Sequence, residues 1–142
     1  METNELHRGR LIDHIQLVVR DFEKSQRFYE AILAVLKIPV GGTGDGFFWA
    51  DELVLSTAES EAAQGELTGR QHLAFQAQDR KMVDSFYNAA LEAGGKDNGA
   101  PGVRPYHPNY YAAFVLDPDG NNLEAVYHGE ADRSAPSVKI TF

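Results

Sequence analysis

Apolar and polar positions fall into two alternating runs, each followed by a helical one. Between Leu11 and Arg20, Ile15, Leu17 and Val19 share one side and His14, Gln16 and Val18 the other, the period of two that a half-buried strand requires. Asp21 then supplies an N-cap side chain, and Phe22, Phe28, Tyr29, Ile32, Leu33 and Leu36 recur at helical spacing over about 14 residues. The pattern returns with His72, Ala74 and Gln76 opposite Leu73, Phe75 and Ala77, and Asp79 caps a second helix that stops at Gly94-Gly95. His14 and His72, Asp21 and Asp79, Phe28 and Phe86, and Tyr29 and Tyr87 are each 58 positions apart, so the segment is duplicated without a gap.

Each copy continues into short strands. After Pro39 and the glycine run Gly41 to Gly46, Phe47–Ala50 and Leu53–Ser56 read as strands around a turn at Asp51-Glu52. Glu59 to Gly69 is small and polar, a linker. In the second copy, Asn98 to Asn109 is rich in Pro and Gly and predicts an irregular loop, a candidate lid. Tyr110–Leu116 and Leu123–His128 flank a tight turn at Asp117-Pro118-Asp119-Gly120. Met1 to Arg10 predicts a loose start, and Ser137 to Phe142 alternates like an edge strand. The expectation is one α+β domain, residues 1–142, made of module 1 (11–58), module 2 (70–128) and a tail (129–142).

Composition narrows the chemistry. The 142 residues are 43% hydrophobic, enough for one buried core. With no Cys there is no disulfide and no thiolate nucleophile, so any metal must be held by His and carboxylates. The 13 basic against 21 acidic residues give a net charge of −8 with no Lys/Arg cluster, which argues against nucleic acid and anionic membranes. No apolar run has the length of a membrane span and no signal-like segment opens the chain, so a cytoplasmic protein is expected, with a small-molecule substrate or a protein partner.

Duplication singles out His14 and His72, which open equivalent strands and could meet about a pseudo-twofold axis. Glu124 interrupts an otherwise apolar strand and shares a face with Val126 and His128. Two imidazoles and one carboxylate would hold a divalent ion and leave positions open for substrate. Taken singly, a strand histidine is more often a surface residue and Glu124 an exposed hairpin charge; the repeat supplies a reason for them to converge. Phe47, Phe48 and Trp49 suit an apolar pocket or the core, and Arg104 is the cation of the long loop. Tyr106, Tyr110 and Tyr111 could bond a substrate oxygen, although only one of Tyr110 and Tyr111 can point into the cup. His107 reads as solvated, and Gln16 and Gln76 as supports for the histidines.

The strand His14-Ile15-Gln16-Leu17-Val18-Val19, the Phe28-Tyr29 helix, the strand from His72 and the ending Phe114-Val115-Leu116-Asp117-Pro118-Asp119-Gly120-Asn121-Asn122-Leu123-Glu124 resemble the vicinal oxygen chelate superfamily. That group spans glyoxalase I, extradiol dioxygenases, fosfomycin resistance thiol transferases, methylmalonyl-CoA epimerase and metal-free bleomycin resistance proteins. The resemblance covers about Leu11 to His128 and implies paired βαβββ modules whose curled mixed sheet encloses a divalent Fe, Mn, Zn, Ni or Co ion held by His14, His72 and Glu124. Glyoxalase I enzymes carry a fourth ligand on the last strand of module 1, where pairing Leu53-Val54 with Leu123-Glu124 places Val54. A three-ligand pattern resembles the dioxygenases and fosfomycin enzymes more closely.

The expected protein is thus a homodimer in which the ion chelates a small substrate through neighbouring oxygens and stabilises an enolate or oxyanion, by lyase, isomerase or ring-cleaving dioxygenase chemistry. Glu124 and Tyr111 are the catalytic candidates, and Trp49, Phe47, Arg104, Tyr106 and Tyr110 the substrate contacts. The competing expectation is a metal-free binding protein that holds a hydrophobe against Phe47, Phe48 and Trp49. Whether the site lies within one chain or is shared across a dimer is open at this point.

Overall fold

The duplicated pattern folds twice into the same unit. In a computed structural model, which describes residues 3–63, 65–133 and 137–141, the chain runs β1 (Glu5–Arg8), β2 (Ile15–Val18), α1 (Phe22–Leu36), β3 (Gly42–Gly44), β4 (Phe47–Ala50), β5 (Leu53–Ser56), β6 (His72–Gln76), α2 (Arg80–Glu92), β7 (Lys96–Val103), β8 (Tyr111–Leu116), β9 (Asn122–Tyr127) and β10 (Val138–Thr141). Module 1 forms a sheet of order β2-β5-β4-β3 and module 2 one of order β6-β9-β8-β7. In each, the first strand lies parallel to the last and the others pair antiparallel. This is the α+β architecture of paired βαβββ modules.

Both helices start where the sequence caps them. The Asp21 carboxylate accepts from the Lys24 amide at 3.1 Å and the Asp79 carboxylate from the Met82 amide at 2.7 Å. Phe28, Tyr29, Ile32, Val83 and Phe86 turn inward and join Leu17, Phe48, Leu55, Val115 and Leu123 of the two sheets in one core. Where α2 ends, a Cβ on Gly95 would come within 2.8 Å of the Phe28 ring and 3.1 Å of the Leu116 carbonyl. Glycine alone lets α1, α2 and β8 approach this closely.

A polar knot joins the modules. The buried Asp117 carboxylate accepts from the Tyr29 hydroxyl of α1, from the Asn121 side chain at 2.8 Å, and from the backbone amides of Asp119 at 2.9 Å and Asn121 at 2.8 Å. Asn121 Oδ1 in turn accepts from the Gln71 amide ahead of β6 at 2.8 Å, and Asp119 Oδ1 accepts from the Arg20 amide ahead of α1 at 3.2 Å. The hairpin turn of module 2 is thereby fastened to the start of both modules.

Four expectations change. Part of the expected loose start is strand β1, because burying Leu6 and pairing with β10 orders it; Met1 and Glu2 lie outside the described residues, as do Gln64 of the linker and Phe142 of the tail strand. Gly42–Gly44 is a strand, since its glycines leave room for the rings of β4: a Cβ on Gly41 or Gly42 would overlap the Trp49 indole, and one on Gly44 the Phe47 ring. The linker lies along β2, where the Thr68 amide and hydroxyl bond the Val18 carbonyl and the Val18 amide bonds the Thr68 hydroxyl, so Val18 is buried although it faces away from the helices. Finally, Asn98 to Val103 is strand and not irregular loop. It continues β7, with register shifts at Asp97/Gly99 and Gly99/Gly102 where the Pro and Gly residues sit, and Pro101 is tolerated because β7 is the outermost strand.

Removing the carboxylate of the knot strands several buried donors. Asp117→Ala should lower unfolding stability by about 3 kcal/mol or more and Tyr29→Phe by about 1–3 kcal/mol, read from urea denaturation. Burial, reinforced by the Asp117 charge, holds the Tyr29 phenol well above its usual range. The fold keeps this proton where the unfolded chain gives it up, so its contribution is complete below about pH 10 and declines above it. Tyr29→Phe should show a shallower alkaline loss of stability than the parent protein; equal slopes would remove Tyr29 from that loss.

Candidate metal centre

Strand register decides which side chains meet. Gln16 lies opposite Val54 and Ala74 opposite Glu124, so the two modules superpose with Val54 at the place of Glu124. On β6, Leu73 and Phe75 turn to the helices while His72, Ala74 and Gln76 remain on the open face. Glu124 stands beside this open face but is itself buried, 3% exposed.

His72 and Glu124 are brought together. His72 Nε2 lies 3.0 Å from Glu124 Oε1, and Nδ1 lies 2.9 Å from the Asn122 carbonyl oxygen. A carbonyl only accepts, so Nδ1 carries a hydrogen; unless a second proton sits on Nε2, that nitrogen presents a lone pair to a carboxylate. Two acceptors facing each other need a proton or a cation between them. Two cis donors on one ion at ~2.1 Å stand about 3 Å apart, so this pair suits a divalent ion, and the Asn122 carbonyl fixes the tautomer that would bind it.

Aromatic residues frame the pair. The Tyr110 hydroxyl donates to Glu124 Oε2, and desolvation followed by this bond holds the Tyr110 phenol above its usual range. Tyr106 meets Tyr110 edge to face at 4.9 Å; the His107 and His128 rings also lie against Tyr110, with His107 Nε2 2.9 Å from His128 Nδ1. Phe114, directly across from Glu124 on β8, stacks on His72 at 6.1 Å, and the Arg104 guanidinium covers the other neighbourhood of Phe114 at 5.3 Å. Asn122 and Phe114 were not singled out from the sequence. Period-two alternation along the hairpin would have found Phe114, since Tyr110, Ala112 and Phe114 share the side that faces Glu124.

Two expected members lie elsewhere. Tyr111 has the opposite parity and turns with Ala113 and Val115 to the helices; its hydroxyl donates to Asp84 of α2 at 2.6 Å and Arg80 lies over its ring at 4.7 Å. The bond to Asp84 is the first cause that raises its phenol. Tyr111 thus lies on the opposite side of the sheet from Glu124. His14 precedes β2 and bonds Asp13 Oδ1 through Nδ1 at 2.7 Å, with its ring half exposed. Among the described residues no three His, Asp or Glu side chains cluster closely enough to hold an ion. Trp49 and Phe47 belong to the sheet of module 1, on the face shared with Val54, and Gln16 bonds Ser56 and Ser60 rather than a histidine.

A family model for the glyoxalase/bleomycin resistance protein/dioxygenase superfamily matches residues 11–125. The chain belongs to that superfamily. Among solved structures, a glyoxalase/bleomycin resistance protein from Albidiferax ferrireducens T118 shares 28% identity over 82% of this chain and 97% of that one, with a TM-score of 0.68. A glyoxalase-related enzyme from Fulvimarina pelagi is 19% identical over 83% and 88%, TM-score 0.67. A lactoylglutathione lyase from Agrobacterium tumefaciens is 20% identical over 83% and 93%, TM-score 0.58. No curated protein matches the chain by sequence. No helix among the described residues is long and apolar enough to cross a membrane.

The acceptor-to-acceptor contact gives a test that needs no substrate. In metal-free protein, Glu124→Gln should unfold at no lower urea concentration than the parent, because its amide can donate to His72 Nε2 while its carbonyl still accepts from Tyr110. Glu124→Ala should cost about 1–3 kcal/mol by leaving both partners unmatched. A Gln variant as unstable as the Ala variant would show that His72 donates a proton from Nε2 to the carboxylate.

Proposed function

We propose that the chain is a metal-dependent enzyme of the vicinal oxygen chelate type, acting as a homodimer whose ion is held by His72 and Glu124 of one chain and His14 of the partner subunit. The contact between His72 Nε2 and Glu124 Oε1, with Nδ1 already committed to a carbonyl, carries the reading. His14 is prepared in the same way: Asp13 takes its Nδ1 and leaves Nε2 to face outward. The dimer rests on placement. β2 and β6 are both outermost strands of their sheets, and His14 lies apart from the His72–Glu124 pair within the chain. A second copy placed edge to edge would set His14, Trp49 and Phe47 of one module 1 opposite His72 and Glu124 of the other module 2.

When bound, the ion supplies Lewis acidity to a substrate with two neighbouring oxygens and lowers the energy of the enolate or oxyanion formed. Glu124 adds the charge that anchors such an ion in a mostly buried position. Tyr110 holds its proton toward Glu124 Oε2, fixing the carboxylate's orientation. Arg104, over Phe114 beside His72, offers a cation to an anionic substrate group, and the Phe114 ring stacks on His72. Lyase, isomerase and dioxygenase chemistry all use this arrangement. With Val54 in place of a fourth donor, the set favours reactions that need several open positions.

His14→Ala, His72→Ala and Glu124→Ala should each lose stoichiometric metal, measured by elemental analysis of untagged protein with an unchanged circular dichroism spectrum. Refolding His14→Ala together with Glu124→Ala should restore up to one ion per mixed dimer, since one of its two sites is then complete. No recovery would place all ligands within one chain, and a metal-free parent protein would favour a simple binding role.

The hemithioacetal of methylglyoxal and glutathione should be turned over weakly or not at all. Robust isomerisation would show that another donor does the work denied to Val54.

A further inference from the structure

Arg104 follows β7 and turns back over it. Its amide bonds the Tyr110 carbonyl at 2.8 Å, and its guanidinium lies 5.3 Å from the centre of the Phe114 ring, which in turn stacks on His72. Two glycines of β7 make the room, Gly99 opposite Phe114 and Gly102 opposite Ala112. A Cβ on Gly99 would come within 3.3 Å of Arg104 Nη2, and one on Gly102 within 3.0 Å of Nη1. The charged group is thus seated on the glycine stretch of β7, the strand at the far edge of the sheet from His72.

This seat leaves the cation without a counter-charge. Arg104 takes part in none of the ion pairs among the described residues. Its Nη2 donates to the Ala100 carbonyl at 2.6 Å, which uses one N–H of the fork. Whichever Nη2 hydrogen that is, one complete edge of the guanidinium remains, the shape that matches a carboxylate.

Strand register gives the reach. Glu124, Phe114 and Gly99 stand in one row across β9, β8 and β7, so at the usual strand spacing the guanidinium is about 10 Å from the backbone of Glu124. It is too far to bond the oxygens that an ion on His72 and Glu124 would hold, and placed for a group several bonds further along the same molecule. One guanidinium in a chain of net charge −8 balances a single negative charge, not the larger charge of a phosphate.

We propose that the substrate of the His72–Glu124 centre carries a remote carboxylate, held edge-on by Arg104, several bonds from its neighbouring oxygens. This rests on the metal reading above and narrows its substrates to acids whose carboxylate stands apart from the chelating group.

Two probes with the same chelating head and chain length test it: 2-oxoadipate ends in a carboxylate where 2-oxohexanoate ends in a methyl. In full-length protein loaded with Mn(II) and assayed for metal content, calorimetry should show 2-oxoadipate binding about ten-fold more tightly. Arg104→Gln should erase that preference at unchanged metal content. Gly102→Ala, which keeps the charge but displaces the guanidinium, should reduce the preference several-fold. Equal affinities in the loaded parent, a preference that survives Arg104→Gln, or tighter binding of 2-oxo-5-phosphonopentanoate than of 2-oxoadipate would each overturn the proposal while leaving the metal reading intact. A parent that takes up no divalent metal would overturn that reading and the proposal with it.

Discussion

One buried bond, from the Tyr29 hydroxyl to the Asp117 carboxylate, sets how the duplicated halves sit on each other. Each half is a sheet with one helix, and neither could bury its apolar face alone; the two helices and the inner faces of both sheets close a common core. Hydrophobic burial supplies the drive for this packing but little direction, since a helix can slide against a helix at small cost. A carboxylate that must find four particular donors in a dry interior has no such freedom. Asp117 therefore acts as a register pin, and because its turn also holds Gln71 through Asn121, it fixes where β6, and with it His72, begins.

Much of this was legible. The caps at Asp21 and Asp79, the inward faces of β2 and β6, and the equivalence of Val54 and Glu124 follow from local patterns that tertiary packing had no reason to override. Glu124 was recognisable because a carboxylate on an apolar strand is costly without a partner. What escaped came from two sources. The Pro and Gly residues of β7 read as loop because bulged edge strands tolerate them, and a composition cannot say that a neighbour waits to pair. Tyr111 was favoured over Tyr110 although parity with Ala113 and Val115 assigns it to the helix side. The placement of His14 apart from His72 lay beyond any single-chain pattern: a repeat shows that two strands are equivalent, not which edge each will meet.

The asymmetry between the halves has a chemical meaning. Each module keeps a histidine at the mouth of its first strand, yet only module 2 retains a carboxylate, an aromatic stack and a covering arginine around it. Module 1 offers Val54, Trp49 and Phe47 at the corresponding surface, an apolar wall. Duplication has thus produced one polar and one apolar half.

The glycines of β3 carry a practical consequence. By leaving no side chain beneath the indole, Gly41 and Gly42 let Trp49 lie flat against the strand on that apolar wall, and the chain contains no other tryptophan. Its fluorescence is therefore a built-in optical gauge of a single surface: whatever docks against module 1 will change the colour and quenching of this one ring, with no competing tryptophan emission from the core.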